Sequence, residues 1–350
     1  MAAVSPTLRP SPTPAAPASA ARLTDSHGRV IHDLRVSITD SCNYKCVYCR
    51  TGEVGAQYPE LGIDEYLHLI RLFVSLGITK VRLTGGEPLL RRGLVEMVQE
   101  LARMRTLSGE PLDLAITTNG HLLGSLAAPL KDAGLNRVTV SMDAVDAPTF
   151  ERITRVPGSF EKVLKGIRAA RAAGLTPLKV NCVLLRGFND DQIVAFARFA
   201  RQEDVIVRFI EFMPLEEDRL WSPQIVVPLA EIVARIGQVL PLVELSPREA
   251  SETARRYGFV DGPGEIGIIA PVTQAFCGAC SRLRLTSDGK IRTCLFSQVE
   301  HDLYGRMRAG ETDAELCAYI HRTVQGKEAR HHIGEPGFLK PSRSMVHIGG

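Results

Sequence analysis

At 350 residues, 45% hydrophobic and 23% charged, the chain has enough apolar material for one large core plus an appended segment. A net charge of +3 gives no general attraction to nucleic acid or to an anionic membrane, and no apolar run is long enough to span a bilayer. Eight cysteines would suit a disulfide framework in a secreted protein, but six fall into two ligand-spaced triads, which implies a reducing, cytoplasmic setting. The other two, Cys182 and Cys317, lie in apolar runs and read as buried thiols.

The first 22 residues are rich in Pro, Ala and Ser and contain no acid, a composition that superficially suits a transit peptide. Five prolines between Pro6 and Pro17 would prevent the amphipathic helix such a peptide needs, so a disordered tail over about residues 1–25 is expected. From Leu34 to Ile210 a strand-then-helix rhythm follows. Val- and Ile-enriched strand runs fall at 34–38, 80–84, 112–117, 137–142, 178–184 and 205–210. Helical patterns lie between them at 63–76, 92–104, 122–133, 159–173 and 190–202; in the first, Ile63, Tyr66, Leu67, Ile70 and Phe73 share a face and Gly77 closes it. Six βα units predict an α/β fold with a parallel sheet, either curled into a partial barrel or opened as a doubly wound sheet.

The first strand runs into Cys42-Asn43-Tyr44-Lys45-Cys46-Val47-Tyr48-Cys49. The spacing C-x3-C-x2-C supplies three thiolates to a centre that accepts four ligands, and a cluster held by three cysteines leaves one iron open for chemistry. A structural zinc site is the alternative, although zinc normally takes a closed set of four ligands. With Tyr48 before the last cysteine, the pattern resembles the signature of radical S-adenosylmethionine (SAM) enzymes.

Polar residues then collect at successive strand ends, where parallel-sheet active sites form. Thr84-Gly85-Gly86-Glu87-Pro88 ends the second strand; its glycines permit close approach of a ligand and Glu87 is a candidate partner for a charged amino group. Thr117-Thr118-Asn119-Gly120 and Ser141-Met142-Asp143 end the third and fourth. Each alone reads equally as a cap or turn. Far downstream, Cys277, Cys280 and Cys294 form a second open triad, and no histidine between Cys277 and Cys294 offers a fourth zinc ligand. Ser281-Arg282-Leu283-Arg284 lies inside it, with both guanidinium groups on one side of an extended segment, suited to a ligand carrying nitrogen donors and phosphates.

The string FCGACSRLRLTSDGKIRTCLF, together with the first triad, resembles the GTP 3′,8-cyclase family of molybdenum cofactor biosynthesis, over nearly everything from Gly28 to Gly350. The resemblance selects a partial (β/α)6 barrel over residues 26–240, followed at 241–350 by a segment bearing the second iron–sulfur cluster and a Gly-Gly tail. It implies two [4Fe–4S] clusters and SAM as cofactors, with Cys42, Cys46 and Cys49 on the first cluster and Cys277, Cys280 and Cys294 on the second. Tyr48, Gly86, Ser141 and Met213 would contact SAM. Arg35, Arg82, Thr117 (or its neighbour Thr118), Lys179, Arg282, Leu283 and Arg284 would contact GTP, and Arg208 would act near the reacting nucleotide.

The implied lyase reaction begins with reductive cleavage of SAM and removal of the ribose C3′ hydrogen; C3′ then bonds guanine C8. Implied partners are GTP, an electron donor of flavodoxin or ferredoxin type, a downstream cyclic pyranopterin monophosphate synthase and a second copy in a homodimer, with no nucleic acid and no membrane. The tail residues Gly349 and Gly350 would enter the active site and support SAM cleavage. Arg50 stands where many relatives carry methionine, and Cys182 has no ligand role. Two other readings stay open: a peptide-modifying radical SAM enzyme with an auxiliary cluster, which has no reason to place Arg-x-Arg beside the cluster, and a non-enzymatic zinc-binding module.

Overall fold

The computed structural model describes residues 22–49, 55–217 and 220–349, so most of the expected tail, together with Arg50 and Gly350, lies outside the described residues. Residues 22–25, which composition alone placed in that tail, are built into the fold: Leu23 is fully buried and Thr24 bridges Val30.

The chain first alternates β1 (Asp33–Ser37), α1 (Ile63–Ser75), β2 (Lys80–Thr84), α2 (Leu94–Arg103), β3 (Asp113–Thr118), α3 (Leu123–Asp132) and β4 (Arg137–Ser141). It continues through α4 (Ala147–Thr154), α5 (Ser159–Ala172), β5 (Lys179–Leu184), α6 (Ile193–Gln202), β6 (Ile206–Glu211) and α7 (Leu229–Gly237). Every expected strand is present within a residue or two, and so is every expected helix, except that residues 190–192 form a 3₁₀ turn before α6. The short helix α4 had no counterpart in the sequence reading; Asp146 caps it, accepting from the Thr149 amide at 2.8 Å, and its closing turn supports the first cysteine loop.

After α7 come the strands β7 (Leu242–Leu245), β8 (Arg255–Phe259), β9 (Glu265–Ile269), β10 (Arg282–Leu285), β11 (Lys290–Arg292) and β12 (His301–Asp302), then the helices α8 (Leu303–Arg308), α9 (Asp313–Gln325) and α10 (Met345–Ile348). All twelve strands form one sheet, in the order β12-β11-β10-β1-β2-β3-β4-β5-β6-β9-β8-β7. From β1 to β6 the order is consecutive and parallel, with no reversal. Right-handed crossovers in a consecutive order put all the connecting helices on one face, which is the barrel winding and not the doubly wound one. The sheet remains open, and the later strands extend both edges: β10 runs parallel to β1, and β9 parallel to β6.

One face of the sheet buries Leu34, Val36, Val81, Leu83, Val138, Val140, Val180 and Val207 against the helices. The alternate positions carry Arg35, Arg82, Thr117, Thr139, Asn181 and Arg208, as the two-residue period of a strand requires. No helix among the described residues is long and apolar enough to cross a membrane.

Helix α5 contains a glycine for a steric reason. A Cβ at Gly166 would lie 2.5 Å from the carbonyl oxygen of Gly120, in the turn after β3. Alanine favours a helix over glycine by about 1 kcal/mol, yet Gly166→Ala is expected to destabilise the chain by about 1–3 kcal/mol because α5 must move off that turn. Equilibrium denaturation in guanidinium chloride checks the sign.

Candidate active site

A cavity of about 320 Å³ is lined by residues at the carboxyl ends of the central strands and by residues at the amino end of β10. Cys42, Cys46 and Cys49 line it from one side and Cys277, Cys280 and Cys294 from the other; Arg35, Arg82, Arg208, Arg282 and Arg284 share the same wall. None of the six forms a disulfide among the described residues. Among the described residues, no three Cys, His, Asp or Glu side chains converge on a site for one metal ion. A four-iron cluster is a larger body than a single ion and takes its cysteines further apart, so open triads facing a cavity suit its donor set.

The first cysteine loop is held by backbone contacts from its neighbours. Gly86 and Glu87 donate their amides to the carbonyls of Thr39 and Ser41, each at 2.8 Å. A Cβ at Gly85 would lie 2.2 Å from the Thr39 oxygen, and one at Gly86 2.3 Å from the Ser41 oxygen. These glycines therefore admit the cysteine loop's own backbone as well as facing the cavity. On the other flank, Lys45 and Val47 donate to the carbonyls of Thr154 and Ile153 at the end of α4. Buried Asp40 accepts from the amides of Gln57 (2.7 Å) and Tyr58 (3.0 Å), tying down the far side of the loop.

Glu87 departs from its expected part. It is fully buried, and its carboxylate accepts from the Leu89 amide (2.9 Å), the Thr118 hydroxyl (2.7 Å) and the Asn119 amide (2.6 Å). It joins the turn after β2 to the end of β3 instead of offering its charge to a ligand. Both Thr117 and Thr118 line the cavity; Thr118 is committed to the Glu87 bond, while Thr117 accepts from Arg82 at 3.3 Å.

Tyr48 and Ser141 both line the cavity. The Tyr48 hydroxyl donates to Asp143 at 2.7 Å, and Asp143 also accepts from the Val183 amide at 2.9 Å. Burial pushes the Asp143 carboxyl up to about 6. Met213 and Leu215 line the cavity as well.

The sheet register sets the arginines. Arg284 of β10, Arg35 of β1 and Arg82 of β2 are direct partners across three parallel strands. Arg208 donates to Asn181 at 3.0 Å and reaches Thr139 at 3.5 Å, while Arg82 reaches the same Thr139 from the other side at 3.4 Å. Gly267 partners Arg208 in register, and a Cβ there would lie 3.0 Å from the Arg208 Cγ. Burial, with the neighbouring guanidinium groups, lowers Arg35 to about 10 and Arg208 to about 9, and lowers Arg284 as well. None of Arg35, Arg82, Arg208, Arg282 or Arg284 forms an ion pair among the described residues, and the buried Arg35 Nε has no hydrogen-bond partner.

Beside the second triad, Arg282 donates to the Cys280 sulfur at 3.3 Å and lies over the Phe276 ring at 5.2 Å. Burial works against ionisation of that thiol, but Arg282 and Lys327 outweigh it and hold Cys280 at about 7. Two sequence candidates fall outside the cavity wall. Leu283 turns its side chain into the core because it alternates with the two arginines, leaving only its backbone near the site. Lys179 sits lower on β5, where burial and then Arg208, Arg137 and Arg82 bring it down to about 8.

The sequence reading missed Asp143, Lys327 and His331 as members of the wall. Asp143 was legible only as part of a strand-end turn. Lys327 and His331 follow α9 in a segment with no motif; Lys327 is buried and bonds the Thr293 carbonyl, and neither ring nitrogen of His331 has a hydrogen-bond partner.

The end of the chain also enters this space. Arg343 pairs with Asp288 and Glu300 at 2.8 and 2.7 Å and stacks 3.9 Å above Tyr58. Beyond it, Arg284 donates to the carbonyls of Ile348 (at 3.3 Å) and Gly349. A Cβ on Gly349 would lie 2.3 Å from the Thr84 hydroxyl, so only glycine fits between the ends of β1 and β2.

Comparison with known proteins agrees with this architecture. The Radical SAM superfamily profile matches residues 36–200, and the Molybdenum Cofactor Synthesis C profile matches residues 205–333. SuiB of Streptococcus suis, solved with S-adenosylmethionine, superposes with a TM-score of 0.60 at 14% identity, covering 86% of this chain and 69% of its own, which shows the shared fold. The class is thus a radical SAM enzyme, with the SAM and [4Fe–4S] cluster that this class carries.

The GTP 3′,8-cyclase of Moorella thermoacetica is 44% identical over 331 residues, which is 94% of this chain and 100% of that protein. That of Streptomyces coelicolor is 43% identical over 334 residues, with 94% and 96% covered. The chain belongs to the GTP 3′,8-cyclase family.

Burial raises the Glu87 carboxyl from 4.5 to about 7 against its three hydrogen bonds. The folded chain then holds a proton that the unfolded chain has released, so this group's contribution to stability falls as pH rises from 4.5 to about 7. Glu87→Gln is expected to remove that slope. It also lowers stability by about 1–3 kcal/mol, because its amide must face the Thr118 or Asn119 donor. Urea midpoints between pH 5 and 7.5 check both effects.

Proposed function

We propose that the chain converts GTP to (8S)-3′,8-cyclo-7,8-dihydroguanosine 5′-triphosphate, by bonding ribose C3′ to guanine C8, in the first step of molybdenum cofactor biosynthesis. The observation that carries this reading is a cavity lined by two open cysteine triads and by five arginines, none of which forms a salt bridge among the described residues. The relatives named as GTP 3′,8-cyclases, matched over nearly the whole chain, support it.

Cys42, Cys46 and Cys49 would hold a [4Fe–4S] cluster, and Cys277, Cys280 and Cys294 a second. A cluster with one open iron would supply the electron for SAM cleavage and so the hydrogen-abstracting chemistry needed at C3′. Tyr48, fixed by Asp143, together with Gly86, Ser141 and Met213, forms the wall against which SAM would lie. Arg284, Arg35 and Arg82 present three guanidinium forks in one register row, a match for successive phosphates. A triphosphate would offset the repulsion among these like charges, which favours its binding there. Thr117 supports Arg82 at that row, and Lys179 adds charge from below. Arg282 stands between the second triad and the phosphates, with the Leu283 backbone beside it. Arg208, held by Asn181 over Gly267, is the cation closest in chain to Met213 and would act near the reacting nucleotide. Around the reacting atoms the chain's part is orientation and exclusion of water.

Anaerobic reconstitution with iron and sulfide, then incubation with SAM, dithionite and GTP, tests the reading. Formation of 5′-deoxyadenosine together with the cyclic GTP product is expected, and 5′-deoxyadenosine with unchanged GTP would send the search to another substrate. Cys277→Ser is expected to keep SAM cleavage but to lower cyclisation about 100-fold, since it removes a ligand of the substrate-side site. Product analysis by mass spectrometry separates the two effects.

Lys179 is cationic below about pH 8 and neutral above it. kcat/KM for GTP is therefore expected to fall as pH rises through about 8, and Lys179→Arg to remove that inflection.

A further inference from the structure

We propose that Arg29 is a positioning residue that assembles the pocket of the second cysteine triad, although it lies 248 residues before Cys277. The inference rests on the reading that this triad holds an iron–sulfur cluster.

Arg29 is buried and follows a tight turn whose acid, Asp25, aims it. One Asp25 oxygen accepts from the amides of His27 and Arg29, both at 2.9 Å, and the other accepts from the Arg29 Nε at 2.6 Å. The rest of the guanidinium is spent on carbonyls: Nη1 donates to Cys277 (2.9 Å) and Ala329 (2.8 Å), and Nη2 to Glu328 (2.6 Å). These carbonyls belong to two segments outside any helix or strand, one carrying Cys277 and Cys280, the other following α9.

The second segment is fastened in turn to the third cysteine. Glu328 accepts from the Thr293 hydroxyl at 2.7 Å, and Lys327 donates to the Thr293 carbonyl, immediately before Cys294. All three cysteines are thus referred to one planar group: two through the Cys277 carbonyl, the third through residues 327–329. The same strap brings Lys327 and His331 to the cavity wall.

Only arginine meets these demands. Its fork supplies donors in three fixed directions within one plane, while the ammonium of lysine is a single point at the end of a flexible stem. The pair with Asp25 is almost fully desolvated, at 6% and 0% exposure, so removing one partner leaves the other charge buried and alone.

The test uses the full chain, reconstituted anaerobically, as wild type, Arg29→Lys and Asp25→Asn. Iron and sulfide per chain, the electron paramagnetic resonance of the reduced protein, SAM cleavage without GTP, KM for GTP and the thermal midpoint are measured. Wild type should hold about eight irons, and Arg29→Lys about four. The signal of the first cluster and SAM cleavage should stay within about twofold of wild type, with KM for GTP raised about tenfold or more, because Arg29 orients the segments that carry the cysteines without touching the reacting atoms. Asp25→Asn should show the same selective loss to a smaller degree. Full iron with unchanged KM in Arg29→Lys overturns the proposal, and so does loss of both clusters together, which would make Arg29 a general folding residue. About four irons in the wild type would instead overturn the second-cluster reading itself.

Discussion

Uncompensated positive charge is the constraint to which the rest of this structure answers. Arg284, Arg35 and Arg82 are neighbours on adjacent parallel strands, with Arg208 and Arg282 on the same wall, and no carboxylate among the described residues pairs with any of them. Like charges buried a few ångströms apart repel by several kcal/mol at the dielectric of a partly buried site. The fold tolerates this only because strand register and a large apolar core hold the backbone in place. What such an arrangement costs the empty protein, a polyanion returns on binding. The nearly neutral chain as a whole hides the effect, since the charge is local.

The same constraint accounts for the unusual sheet. A six-strand barrel segment alone would leave Arg35 on its edge strand, β1. Pairing β10 with β1 adds Arg284 to the row and carries the second cysteine triad beside it, while β9 on the other edge supplies the glycine over which Arg208 lies. The later segment is therefore part of the wall of one cavity, and its cysteines face the first triad because its strands continue the sheet.

Much of this was legible in the sequence, and the reason lies in spacing. The cysteine triads are local patterns, and the βα rhythm is set by Val- and Ile-rich runs followed by amphipathic helices, so both survive without knowledge of tertiary contacts. Of the later strands only Arg282–Leu285 was legible, as an extended segment with both arginines on one side; β7, β8, β9, β11 and β12 were not, because runs such as Lys-Ile-Arg are short and charged and become strands only through their pairing in the sheet. Glu87 was misread because a carboxylate beside two glycines suits a ligand as well as it suits a buried junction, and only the positions of Thr118 and Asn119 decide between them. Leu283 and Lys179 show the same limit from another side, since motif adjacency does not say which way a side chain points. Lys327 and His331 carried no signal at all, being brought in by Arg29 and Thr293 from a segment of ordinary composition.

The pairing of β1 with β10 also bears on how the chain comes to be made. During synthesis β1 emerges early, yet its second neighbour follows only about 250 residues later, so one edge of a hydrophobic parallel sheet stays open for most of translation. The first cysteine loop is exposed over the same interval. Such a nascent chain needs shelter until its last third arrives, which makes the timing of chaperone engagement and of iron delivery a property written into the strand order.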